Sequence, residues 1–281
     1  MMEFINPKKY QRTSSQNTPI IRYIKVPEYE TRFGCGLSAF LGPLNSNGVL
    51  YNPSGGDNGV DCNFAGVKTV SQMALYCRFY YCGVIKDVDF PDLQVVNMDG
   101  FYCAFRYSGI RRFNAPKLSN INIRGLYYAF GDSYIETADL SGLETISSEY
   151  ALGCAFNYCS YVENVDLSNL TMVTGSYALY ACFEYTKKIT TMVFPKLKKI
   201  SGIYTCGRLF ANSKIQDIKF PAVVSSGLPQ SNVFFNMLSR VTGCTVHFPS
   251  NLQSVIGSWS EVLSGFGGTN TTVLFDLPAT E

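Results

Sequence analysis

The chain has 281 residues, 46% of them hydrophobic, which is enough for one large domain or two ordinary ones. A formal charge of +2 supplies no global attraction to nucleic acid or to a membrane surface. Only 16% of residues are charged, whereas Tyr (19), Phe (20) and Gly (24) abound, so many short strands and turns are expected rather than long amphipathic helices.

Residues 1–34 read as an extended arm. They place Lys8, Lys9, Arg12, Arg22, Lys25 and Arg32 around a short apolar patch of Ile20, Ile21, Tyr23, Ile24 and Val26. Such an arm either stays floppy or orders on a partner by adding a strand or filling a groove. On the second reading Lys8, Lys9, Arg12, Ile20, Ile21, Arg22, Tyr23 and Ile24 form the attachment segment. No apolar run of about 7–15 residues marks a secretory signal, and nowhere do roughly 18 apolar residues run together. The chain is therefore expected to fold in a cytosol, with no membrane insertion and with its ten cysteines as thiols. Residues 35–61, with "GPLNSNGVLYNPSGGDNGV" at their centre, read as a Gly/Asn/Pro-rich loop and an N-terminal cap.

From residue 62 to 252 the chain repeats itself. The words "IKDVDFPDL" (85–93), "IRRFNAPKL" (110–118), "IETADLSGL" (135–143), "VENVDLSNL" (162–170), "ITTMVFPKL" (189–197) and "IQDIKFPAV" (215–223) share one pattern of apolar positions with a small residue or Pro as anchor. Counting the weaker flanking members, the anchors are Ala65, Pro91, Pro116, Ser141, Ser168, Pro195, Pro221 and Pro249, with steps of 25 to 28 residues. Within each word the apolar-x-apolar portion alternates as a strand with one buried face, and Pro, which lacks a ladder donor, stops it. A Phe (79, 105, 130, 156, 183, 210) recurs before each next word, at the end of a small-apolar stretch that reads as a short helical turn. One short strand and one short helical turn per repeat of about 26 residues predict an α/β solenoid of the leucine-rich-repeat type, a right-handed coil of about 7–8 repeats.

The cysteines fall on repeat positions. Cys77, Cys103 and Cys154 stand two residues before the Phe, while Cys82 and Cys159 stand three after it, where other repeats carry Ser108, Ser133, Thr186 and Ser213. All are read as small inward positions. With one histidine and no CxxC pair, no metal site and no cofactor are expected. Ser/His/Asp catalysis would need His247 itself, and no nucleophile elbow, P-loop or GxGxxG is present, so no enzyme is expected. Residues 253–281 read as a C-terminal cap with Trp259 and Phe266 as plugs. The terminal "LPATE" lacks the Gly and tail of a wall-sorting signal.

A solenoid works through its surface. The outward strand rungs are Asp89, Asn114, Asp139, Asp166, Val193, Lys219 and His247, about 4.8 Å apart in neighbouring coils. Asp139 facing Asp166 is a like-charge pair that solvent, a cation such as Ca²⁺ or a partner must offset. Charge is also segregated along the axis. Residues 131–186 hold eight acids and no Lys or Arg, and residues 187–219 hold eight bases and one acid. This segregation either keeps the rod soluble or orients it against a partner or another copy, which would make a homo-oligomer.

The word "AFxxC…I/V-xx-V-x-L/F-P-x-L-xx-I" resembles the BspA-like, or Treponema-type, leucine-rich repeat of bacterial surface antigens, gut-bacterial proteins and phages of gut bacteria. The resemblance covers about Cys62 to Leu252. It implies a binding scaffold with no family-wide catalytic residues. Joined to the missing export signal and the basic arm, it predicts a phage virion component: a head fibre, capsid decoration or tail-associated adhesin. The arm would dock on virion structural proteins, and the ladder Asp89, Asn114, Asp139, Asp166, Lys219 and His247 would meet a host surface glycan or protein. Two alternatives stand beside it: a bacterial cell-surface or secreted adhesin, and a cytosolic protein-interaction scaffold.

Overall fold

The computed structural model describes residues 60–83, 85–224, 226, 232–256 and 265–280. They form a parallel β-solenoid of about seven turns. The alternating words make its first ladder, because identical apolar positions one coil apart stack in register and leave each backbone edge facing its copy. Val60–Asn63, Ile85–Asp89, Arg112–Asn114, Thr137–Asp139 and Asn164–Asp166 pair in that order. Thr191–Val193, Asp217–Lys219, Thr245–Pro249 and Thr272–Leu277 form a second run along the same face of the repeat. The last of these strands extends the ladder through residue 277.

The anchor makes a corner. The N–H of Leu93 donates to Phe90, and Leu118, Leu143, Leu170 and Leu197 repeat this three-residue return at 3.0–3.3 Å. That places Pro91, Pro116 and Pro195 at the second position of a tight turn, where the fixed φ of Pro is favoured. After the corner comes a second, two-residue strand which the alternation rule is too short to detect. Thr69–Val70, Val95–Val96 and Asn120–Ile121 pair in one sheet, and Thr145–Ile146, Met172–Val173 and Lys199–Ile200 in another.

The segment expected to be a short helical turn is a ribbon of overlapping tight turns instead. Along residues 71–82 every second N–H donates three residues back, as from Tyr76 to Met73 and from Arg78 to Leu75. The N–H groups between them donate to the next coil: Leu75 to Gly100, Cys77 to Tyr102, Phe79 to Ala104. A helix would spend every donor within its own coil, whereas this ribbon spends half of them on its neighbour and so continues the ladder around the corner. The geometry requires left-handed residues four apart: Met73, Cys77 and Tyr81, then Asp99, Cys103 and Tyr107, and so on to Asn232, Asn236 and Arg240. Outside a helix there is no long period for sequence periodicity to find. Among the described residues the only α-helical turn is Gln253–Ile256.

Two aromatic columns fill the interior. Phe79, Phe105, Phe130, Phe156, Phe183 and Phe210 stack face to face with centroids 5.0–5.7 Å apart. On the strand side Phe64 stacks on Phe90 at 4.2 Å, and Phe194, Phe220 and Phe248 stack at 5.3 Å. The strand-side column breaks at Ala115, and Phe113, two residues earlier, swings its ring against Phe101 and Phe130 to occupy the space. Ala138 in the next coil is the small neighbour that admits it.

Candidate functional site

The outward face of the five-strand run carries a groove of about 540 Å³. Two polar rows line it. One is Asp87, Arg112, Thr137 and Asn164; the other is Asp89, Asn114, Asp139 and Asp166. Each row is one strand position read through successive coils, as the partners Asp87↔Arg112, Asn114↔Asp139 and Asp139↔Asp166 show. Buried Phe113 and Ala138 lie beneath. Alternation alone puts these polar chains outward, because the residues between them, Val88, Phe113, Ala138 and Val165, are buried in the core.

The groove is fixed before any ligand arrives. Asp139 and Asp166 each accept the backbone N–H of the residue two ahead, Ser141 and Ser168, at 2.9 Å. This local turn clamps each carboxylate and meets part of the cost of placing two acids on adjacent rungs. Arg112 pairs with Asp87 across one coil step. Four aspartates thus face one arginine, two asparagines and a threonine, a surface rich in acceptors with a few placed donors. Among the described residues no group of three or more His, Cys, Asp or Glu is arranged to hold a metal ion.

Of the rungs named from sequence, Asp89, Asn114, Asp139 and Asp166 are brought together here. Val193, Lys219 and His247 are not, because the ladder divides between Asn164–Asp166 and Thr191–Val193. Lys219 and His247 stand side by side in the four-strand run. His247, read from sequence as a solvated rung, is instead mostly covered and held between two carboxylates. Its Nε2 lies 2.9 Å from Asp217 and its Nδ1 2.8 Å from Asp276. The arm residues Lys8, Lys9, Arg12, Ile20, Ile21, Arg22, Tyr23 and Ile24 lie outside the described residues, as does Trp259. Phe266 is buried against Phe234 at 5.2 Å.

Part of the segregated charge pairs across coils where acidic and basic coils meet. Lys188 pairs with Glu163 at 2.5 Å, and Arg208, Asn157 and Asn212 all converge on buried Glu184. Earlier coils use the same device: Arg106 with Asp132 at 3.0 Å, Lys117 with Asp92 at 2.9 Å and Arg124 with Asp99 at 2.9 Å. Each pair spans one coil, so these ions act first as staples between turns.

The turn ribbon supplies a second surface that the sequence reading missed. Tyr81 stacks on Tyr107 at 4.7 Å, Tyr158 on Tyr185 at 4.1 Å, and Tyr150 on Tyr177 at 4.6 Å. Their spacings of 26 and 27 residues match the repeat and were the available signal. Because each ring covers the face of the next, the surface presents ring edges and hydroxyls rather than open stacking platforms. Glycine makes room for these rings: a Cβ at Gly153 would stand 3.0 Å from both Tyr127 and Tyr150.

The cysteine positions divide. Cys82 and Cys159 share a fully buried row with Ser108, Ser133, Thr186 and Ser213, as expected. The Cys159 thiol donates to the Phe130 carbonyl at 3.0 Å, and burial pushes its pKa up to about 12. The other row, Cys77, Cys103, Tyr128, Cys154, Ala181, Arg208 and Asn236, belongs to the left-handed positions of the ribbon; Cys103 and Cys154 are buried there as expected, whereas Cys77 is half-buried. No family model, curated protein or solved structure matches the chain.

Proposed function

We propose that the chain is a non-enzymatic binding scaffold of the BspA-like leucine-rich-repeat kind, serving as a phage virion component: a head fibre, capsid decoration or tail-associated adhesin. The basic arm, residues 1–34, attaches it to virion structural proteins, and the solenoid presents the groove outward to a host surface glycan or protein. One observation carries this reading. Eight polar side chains stand in two straight rows on a face whose backbone is fully committed to the ladder, so the groove is pre-organised for recognition. The rows repeat at about 4.8 Å, which suits an extended chain lying across several coils.

The arm is tested by deleting residues 1–34 and following incorporation into purified particles. The proposal expects incorporation to be lost while the solenoid stays folded, and incorporation that survives the deletion sinks it.

A further inference from the structure

Cys77 and Cys103 occupy the same left-handed ribbon position in adjacent coils, each at φ 51°. The N–H of Cys77 donates to the carbonyl of Tyr102 at 2.8 Å, which sets the two cysteines directly opposite each other. Adjacent rungs stand about 4.8 Å apart, inside the Cα separation that a disulfide spans. With equal φ the two side chains leave matching positions of adjacent coils, and each thiol acts on the protonation of the other. The Arg106 guanidinium, whose charge acts on Cys103, is held by Asp132 at 3.0 Å and lies over the Tyr107 and Tyr128 rings at 4.9 and 4.5 Å. No other two cysteines among the described residues occupy the same position in adjacent coils.

We infer that Cys77 and Cys103 are a redox-active dithiol that closes to an intramolecular disulfide on meeting a hydroperoxide, stapling the first two coils. The division of labour follows from the surroundings. Arg106 sits in the same turn as Cys103, its backbone N–H donating to the Cys103 carbonyl at 3.2 Å, and the Cys77 thiol and then the Arg106 charge hold the Cys103 thiol below its ordinary pKa against the opposing effect of burial, so Cys103 is the nucleophile. The neighbouring Cys103 thiol and then burial raise Cys77, which keeps its proton and acts second. In the first step the Cys103 thiolate attacks one peroxide oxygen. The S–O bond forms, the O–O bond breaks, and hydroxide leaves and takes up a proton, giving the sulfenic acid and water. In the second, the Cys77 sulfur attacks the Cys103 sulfur. The S–S bond forms, the S–O bond breaks, and the departing hydroxide takes the Cys77 proton as water. Two thiols lose two electrons to one peroxide, which becomes two waters. A small oxidant is required because Cys103 is only 6% exposed. Cβ atoms held at the rung spacing are farther apart than a relaxed disulfide prefers, so the bond is readily reduced again.

The test treats the full chain carrying Cys35→Ser with hydrogen peroxide, then digests it with trypsin. Cys77 is the sole cysteine of residues 69–78 and Cys103 that of residues 87–106. The expected result is a loss of about 2 Da and a link between these two peptides that dithiothreitol reverses, formed before the other cysteines react. Cys77→Ser should leave Cys103 trapped as a sulfenic acid by dimedone, and Cys103→Ser should slow oxidation of Cys77 roughly tenfold. Should either variant fold poorly, the peptide link in the Cys35→Ser chain decides alone. Both peptides remaining alkylatable while other cysteines oxidise, or a link joining a different pair, overturns the inference.

Discussion

Cys159 shows how a single repeat position constrains chemistry. Its row accepts Cys, Ser or Thr because the space is small and polar on one side: Cys159 and Thr186 donate to the Phe130 and Phe183 carbonyls, while the Ser108, Ser133 and Ser213 hydroxyls accept the N–H two residues ahead. Cys159→Ser is therefore expected to cost no more than about 1 kcal/mol in denaturant unfolding, and Cys159→Val little more, because the Phe130 carbonyl keeps the Ser133 N–H at 3.1 Å. Arg240 makes the converse point. It is exposed and left-handed at φ 62°, so Arg240→Gly should leave stability unchanged or raise it, whereas Arg240→Val should lower it by about 1–2 kcal/mol. Residue roles on the strands were legible from alternation, since Val88, Ala138 and Val165 are buried and Asp89, Asp139 and Asp166 are turned out. The left-handed ribbon positions were not, because no residue type except Gly announces a left-handed backbone.

At the level of the element, the strand and its corner could be read from the words themselves, and the ribbon could not. Small apolar stretches such as "ALGCAF" carry good helix formers, so local preference points to a helix. What defeats it is the neighbouring coil, which accepts half of the ribbon's N–H groups. The Phe column is where this trade is recovered, because each ring is packed between two others. Phe156, 5.1 Å from Phe130 and 5.5 Å from Phe183, is the central case. Phe156→Ala should cost about 3–5 kcal/mol, measured by chemical denaturation. A cost near 1 kcal/mol would mean that the column is not the core of the coil.

Across the whole molecule the buried thiols add a pH limit. Burial pushes Cys159 and Cys206 up to about 12, and it does the same to Cys244 with help from Asp217, each from an ordinary value of 9.0. Between about pH 9 and 12 the folded chain holds more protons than the unfolded chain, so stability present below pH 9 should fall as pH rises through that window. Thermal unfolding at pH 8 and pH 11 checks this, and replacing the three thiols should flatten the difference. The period, coil number and outward rungs were all visible in the spacing of the anchors. The division of the ladder after Asp166, which confines the groove to the early coils, was not, because the words on its two sides are alike. We propose that the groove and the arm together serve a particle-borne binding scaffold. The direct measurement is mass spectrometry of virions purified from a culture that makes this chain. The account predicts the chain in fixed proportion to the major capsid protein after gradient purification; its recovery only in bacterial envelopes or in the soluble lysate would contradict it.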